Sequence, residues 1–152
     1  VQKVLQTIAG AKVSTSAAEA RSLGFLHSAD RIVMNRDRLM AEAKEEVLEL
    51  AAHGYTAPVR EKSCYAAGRD VRAALGAGIY NLQQGAYMSD YDAVISSKLA
   101  SILCGGDLSS GQWVDEQFFL DREREVFVAL CSEPKTHERI QHMLSTGKPL
   151  RN

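Results

Sequence analysis

An excess of charge of either sign is missing from this chain. Its 18 Lys and Arg face 19 Asp and Glu for a net charge of -1, which excludes a general electrostatic pull toward nucleic acid or an anionic membrane. Long apolar runs are missing too, since none approaches the roughly 20 residues that a bilayer span requires, and no basic-then-apolar leader opens the sequence. A soluble, cytoplasmic protein is the expectation. Cysteine is sparse and unpaired in pattern: Cys64, Cys104 and Cys131 are an odd, widely spaced set without a C-x-x-C. Neither a disulfide framework nor a zinc site follows, and buried free thiols are expected. Repeats and low-complexity tracts are absent. So is an initiating Met or a helix cap ahead of Val1, although Val4, Leu5 and Ile8 already lie on one helical face. The expectation is a cut end, and hence a piece of something longer.

What is present is a succession of helical patterns. Ser16 and Glu19 form an S-x-x-E start, in which the serine caps the helix and the glutamate reaches back to the free backbone amide, and Gly24 supplies a left-handed stop. Ala17, Ala20 and Leu23 share one side of this two-turn piece, which is too short to persist unpacked. Their face is expected to lie against the next long helix or to remain exposed. Residues 25–34 are short, irregular and carry β-branched side chains, which predicts a brief extended connector. Asn35 then caps a helix over 36–53, with Met40, Ala43, Val47, Leu50 and Ala51 as an apolar stripe and Glu42, Lys44, Glu45, Glu46 and Glu49 on the other side. Residues 55–64, with Pro58, read as a polar crossing loop.

From Gly68 the period is helical again. Val71, Ala74, Leu75, Gly78, Ile79 and Leu82 share a face on which Gly76, Gly78 and Gly85 would let another helix approach. Ser89 and Asp92 repeat the capping pattern ahead of a helix carrying Val94, Ile95, Leu99, Ile102 and Leu103, which ends at Gly105 and Gly106. A helix over 113–131 turns Phe118, Phe119, Leu120, Val126, Phe127 and Leu130 inward, and Pro134 opens a last helix holding Ile140, Met143 and Leu144. Six or seven helices and no substantial sheet define an all-α chain of about one domain's length.

Few residues suggest chemistry. His137 and His142 flank a string resembling a zinc-protease motif with one residue added. Five apart on a helix, they point about 140° away from each other, against about 40° for a spacing of four, so two surface histidines are the better reading. Gly76 and Gly78 match the first two glycines of a dinucleotide fingerprint without the third and without a preceding strand, which favours close helix packing. Glu116, Asp121, Glu123 and Glu125 alternate with Arg122 and Arg124, as solvated faces do. Lys135, Arg139, Lys148 and Arg151 make the end locally basic, either as a solvated or contacting tail or as a phosphate site. Trp113, near Phe118 and Phe119, suits a core or interface anchor.

Several of these stretches resemble a known family. The A-x-E-A helix around Glu19, its stop at Gly24 and the long helix from Asn35 are similar to the pattern that follows the catalytic half of crotonase (enoyl-CoA hydratase) proteins. Glu133-Pro134-Lys135-Thr136, Arg139-Ile140-Gln141-His142-Met143-Leu144 and Gly147-Lys148-Pro149-Leu150-Arg151-Asn152, with Gly105-Gly106-Asp107 and Val114-Asp115-Glu116-Gln117, resemble the end of long bacterial 3-hydroxyacyl-CoA dehydrogenases that carry a crotonase-like region. The resemblance covers essentially the whole chain. It implies residues 1–54 as crotonase-like C-terminal helices, 55–67 as a linker and 68–152 as a helical extension, together one compact domain of a longer chain. The parent would be an NAD-dependent enzyme of fatty-acid β-oxidation acting on acyl-CoA. This segment would close the site and assemble a homo-oligomer against the upstream catalytic region. It carries over no catalytic, cofactor-binding or metal residue, because no position here matches the family's dinucleotide glycines, catalytic His and Glu, or oxyanion hole. Two readings compete: a stand-alone helical protein-interaction module anchored by Trp113, Phe118 and Phe119, and acyl-CoA binding without turnover through Lys148 and Arg151.

Overall fold

The computed structural model describes residues 1–57 and 64–152. Among them are seven α-helices, a short 3-10 turn and one two-stranded antiparallel ribbon, so the helical fold class holds. Two compact units emerge: Val1–Lys12 with Arg60–Asn152, and Val13–Val59. Pro58 and the rest of the expected crossing loop up to Ser63 lie outside the described residues.

The first unit is built on α5 (Asp90–Leu103), against which α1 (Gln2–Ala9), α4 (Gly68–Gln84) and α6 (Glu116–Cys131) pack. The start of α5 is the expected capping box. Ser89 Oγ accepts from the Asp92 amide at 3.1 Å while the Asp92 carboxylate accepts from the Ser89 amide at 3.4 Å, satisfying two donors at the helix end. Its buried side chains are Tyr91, Ala93, Ser96 and Ala100. Three of these are small, which lets neighbouring helices come close, and Leu5, Ile79, Ala93 and Ala100 form the core with Leu75, Met88, Leu99 and Leu103 packed on it. Burial pushes the Cys104 thiol above its usual range.

The helix expected from Trp113 begins later. Gln112–Val114 is a strand, β2, paired with β1 (Cys64–Ala66) so that Tyr65 faces Trp113. Asp115 then caps α6 by accepting from the Phe118 amide at 2.8 Å. The strand falls outside any local pattern because its partner lies about fifty residues away in sequence, within the expected linker. Gly68 fixes the joint after β1. Its amide donates to the Cys104 carbonyl at 3.0 Å and its φ is +79°. A Cβ there would lie 2.5 Å from the Ser110 carbonyl carbon. The last helix, α7 (Pro134–Thr146), is tied to α5 by a 2.6 Å hydrogen bond between the Tyr91 and Thr136 hydroxyls. Leu120 and Phe127 on α6 are exposed rather than inward, and Ile140, Met143 and Leu144 on α7 are exposed as well.

The second unit contains α2 (Ala17–Leu23) and α3 (Leu39–Ala52). Ser16 caps α2 as expected and Gly24, at φ +86°, stops it. The reciprocal half of the capping box is displaced by one residue: Glu19 Oε2 accepts from both the Thr15 amide and hydroxyl, each at 2.7 Å. Those bonds hold the Glu19 carboxyl below its ordinary range. Ala20 is buried. Within the connector, residues 25–30 are made of bends and a turn, and 31–33 run on without regular structure. The Asp30 carboxylate accepts from the His27 amide at 2.7 Å, and Arg21 donates to the Asp30 carbonyl at 2.6 Å. Asn35 caps a 3-10 turn, Arg36–Arg38, that feeds directly into α3.

The orientation of α3 is the main departure. Its apolar stripe points to solvent, with Met40 81% and Val47 63% exposed. On the charged side only Glu42 and Glu46 are partly covered: Arg31 bridges Glu42 at 2.5 Å and Glu46 at 2.8 Å, and Arg38 meets Glu42 at 2.8 Å, while Lys44, Glu45 and Glu49 are exposed. No residue of α3 is buried.

Candidate functional site

Within the first unit, α1, α4 and the start of α5 enclose an open groove of about 1070 Å³. Its floor and walls come from Leu5 of α1 and from Val71, Leu75, Ile79 and Leu82, which recur along one face of α4 at helical spacing. Polar groups gather where α5 begins, at Ser89, Asp92, Ser96 and Arg151. Gly78 lines the groove, yet a Cβ built there meets nothing within 4 Å, and the same holds at Gly76. The close helix approach expected at these two glycines is therefore not made within the described residues.

The end of the chain is clamped beside this groove. Asp92 Oδ1 accepts from Arg139 at 2.9 Å and from Arg151 at 3.1 Å, with only 13% of the Asp92 side chain and 19% of the Arg139 side chain exposed. Ser89 Oγ donates to the Asn152 carbonyl at 2.9 Å, and Arg139 Nε donates to the Asn152 side-chain oxygen at 2.7 Å. The Asn152 amide in turn donates to Glu138 at 2.7 Å. Burial opposes the charge on Asp92, but the Arg139 hydrogen bond and the nearby Arg151 charge outweigh it and hold the carboxyl below the ordinary range. The Tyr91 ring lies under Arg139, 5.1 Å from centroid to guanidinium carbon.

These contacts place three of the four basic residues at the end of the sequence, while Lys148 is exposed. Arg139 and Arg151 are spent on Asp92, and Lys135 sits over the Tyr91 ring at 5.8 Å. Local spacing marks Asp92 only as a capping acid. Its second role depends on residues 47 and 59 positions away, a separation that no local spacing reports.

The other candidates do not converge. His137 Nε2 meets the Cys131 carbonyl at 2.5 Å, while His142 lies on a different face of α7. Among the described residues no group of three or more His, Cys, Asp or Glu side chains is placed to hold a metal ion. Asp121 pairs with Arg124 at 2.5 Å and Glu125 with Arg122 at 2.9 Å along α6, while Glu116 and Glu123 are exposed on the same helix. Gly76 and Gly78 lie inside α4, where the backbone amides belong to the helix ladder, so these residues do not fit the phosphates of a dinucleotide. Trp113 is 60% exposed and packs edge-on to Tyr65, with ring centroids 5.4 Å apart. Phe118 and Phe119 make a similar pair at 5.9 Å, with Arg122 over Phe118.

Over 150 residues, 99% of its length, the chain is 43% identical to a Bacillus subtilis (strain 168) protein named "Probable 3-hydroxyacyl-CoA dehydrogenase". It spans 19% of that relative. No protein-family model matches the chain, and no solved structure matches it. Among the described residues no helix is long and apolar enough to cross a membrane.

Proposed function

We propose that this chain is the helical, site-closing and assembly segment of a longer, cytoplasmic, NAD-dependent 3-hydroxyacyl-CoA dehydrogenase of fatty-acid β-oxidation. That enzyme would carry a crotonase-type hydratase region, and its catalytic residues would lie upstream of Val1. The carrying observation is the 43% identity across 99% of this chain to a protein with a dehydrogenase name, of which the chain spans 19%. The geometry supports a covering role. The exposed stripe of α3 and the open groove beside α4 are apolar surfaces of the kind that a larger assembly buries.

Of the candidate acids, Asp121 and Glu125 pair with Arg124 and Arg122 along α6, and Asp92 pairs with Arg139 in the tail clamp, which supports a covering role over a chemical one. Assays with crotonyl-CoA, and with 3-hydroxybutyryl-CoA plus NAD, test the assignment. The longer protein turns both over and the 152-residue chain turns over neither. Turnover by the chain alone would move the chemistry into it and sink the reading. A stand-alone interaction module is the second reading, favoured by the exposed Tyr65–Trp113 pair. An inert longer protein would favour it.

A further inference from the structure

We propose that the groove between α1, α4 and the start of α5 binds a long-chain monocarboxylate, its alkyl tail along the α4 stripe and its head group on Arg151. This ligand site goes beyond the reading above and does not depend on which reaction a longer protein performs.

Any open apolar surface suits a larger assembly, and the α3 stripe is such a surface. The groove differs from it in shape and in its polar end. It is concave, about 1070 Å³, near the upper end of the range for small-molecule pockets, and it combines an apolar bed with few polar groups. Leu5, Val71, Leu75, Ile79, Leu82 and Met88 supply the apolar part. From Val71 to Leu82 the stripe runs about 16 Å at 1.5 Å per residue. One lipid tail spans about 15 Å, half the hydrocarbon core of a bilayer. A single alkyl chain therefore matches the bed in length.

The charge at the polar end is unbalanced. Helix α5 starts shortly after α4 ends, so Ser89, Asp92 and Arg151 gather at the Leu82 end of the stripe. Arg139 and Arg151 share the single Asp92 carboxylate, at 2.9 and 3.1 Å. Two guanidinium groups on one carboxylate leave one positive charge in excess. Arg139 is only 19% exposed and also donates to Asn152, through Nε to the side-chain oxygen and through a terminal nitrogen to the carbonyl. Arg151 is 56% exposed and is the one Lys or Arg lining the groove among the described residues. The excess charge is thus presented at Arg151, whose five donors form a fork that matches a carboxylate. A monoanion complements it. A coenzyme A thioester would bring several phosphate charges to a groove lined by one cation, so the free carboxylate is the better match.

Calorimetric titration of a longer protein that contains this chain, with laurate as the probe, tests the proposal. Gly78→Phe fills the bed from an open position, since a Cβ there meets nothing within 4 Å, and Gly76→Phe puts the same ring about 200° around α4. The first should weaken laurate at least about tenfold, the loss of two or three methylene contacts, and the second by less than about twofold. Arg151→Gln should weaken laurate about tenfold, the size of one charge-assisted hydrogen bond, and leave dodecanol, with the same tail and a neutral head, within about twofold. From octanoate to laurate each added methylene should tighten binding about two- to fourfold.

Equal effects of the two glycine variants overturn the proposal, as does an affinity that does not rise with tail length. Equal weakening of laurate and dodecanol by Arg151→Gln removes the head-group contact and overturns it too. So do three results that assign the groove to another occupant: lauroyl-CoA binding more tightly than laurate and losing affinity in Gly78→Phe, which indicates a thioester; laurate binding by the 152-residue chain but not by the longer protein, which indicates a protein cover; and laurate affinity that falls as protein concentration rises, which indicates a second copy. Absence of binding to either protein also overturns it. If Gly78→Phe folds poorly, a diazirine analogue of laurate on the unsubstituted protein decides: cross-links within residues 2–10 or 71–96 support the site, and cross-links confined elsewhere overturn it.

Discussion

Helices α3 and α5 are both 14 residues long, yet α5 buries Tyr91, Ala93, Ser96 and Ala100 while α3 buries none. The cleaner amphipathic pattern belongs to α3, whose apolar residues share one face opposite an acidic one. A stripe states which face gains from burial, at roughly 25 cal/mol per Å² of apolar surface, but not whether this chain supplies the cover. For α5 the cover comes from α1, α4 and α6, close because the contact residues are small. For α3, ion pairs from Arg31 order the acidic face and leave the stripe outward. Exposed ion pairs of this kind stabilise little.

The largest expected effect is on the joint that holds α5 in its setting. Gly68→Ala would need φ +79° in a residue with a side chain and would drive a Cβ to 2.5 Å from the Ser110 carbonyl carbon. A loss of about 3 kcal/mol is expected, read by thermal or urea unfolding. An unchanged midpoint would show that this joint does not fix the α5 core.

Leu5→Ala removes a core side chain contributed by α1 and should cost about 2–3 kcal/mol in the same measurement. A cost below about 0.5 kcal/mol, the range of surface substitutions, would erase the contrast with α3.

Asp92→Asn weakens the clamp while keeping the shape, with an expected loss of about 1–2 kcal/mol at neutral pH. The folded carboxyl is held below its ordinary value. Its contribution is therefore fully present above about pH 4, the unfolded value, and is lost as pH falls through the lower folded value. Urea midpoints across pH 2–6 should fall more steeply in the unsubstituted chain than in the variant. Parallel curves would remove Asp92 as the anchor of the tail.

The smallest effect in this chain is expected at α3 itself. Met40→Gln and Val47→Ser should each change its stability by no more than about 0.5 kcal/mol, because both side chains already face water. On the proposed assembly role, the same substitutions in a longer protein weaken assembly, read by size-exclusion chromatography with light scattering. A large loss in this chain alone would mean that the stripe is covered here, and would break the comparison from the other side.

Much of the fold is legible in the sequence because helix ends carry local chemistry. The caps at Ser16, Asn35 and Ser89, and the stop at Gly24, involve groups within a few residues of one another, so short patterns report them. Where the partner is distant, local patterns fail. Periodicity extends a helix through Trp113 because it carries no trace of the pairing with Tyr65, and it marks Gly76 and Gly78 for a helix that the described residues do not place there. The candidate site is legible only as fragments: the apolar face of α4, a capping acid at Asp92 and a basic tail.

Sequence by itself therefore determined the helices, most of their ends, and the resemblance to one long dehydrogenase family, since each rests on nearby residues or on residue identity. Tertiary structure alone decided that Asp92 holds Arg139 and Arg151, that α1 and α4 frame a groove, and that the stripe of α3 faces water. The reason is physical. Hydrogen bonds within a helix are local and repeat with its period, whereas burial and ion pairing depend on which distant surfaces the chain brings together.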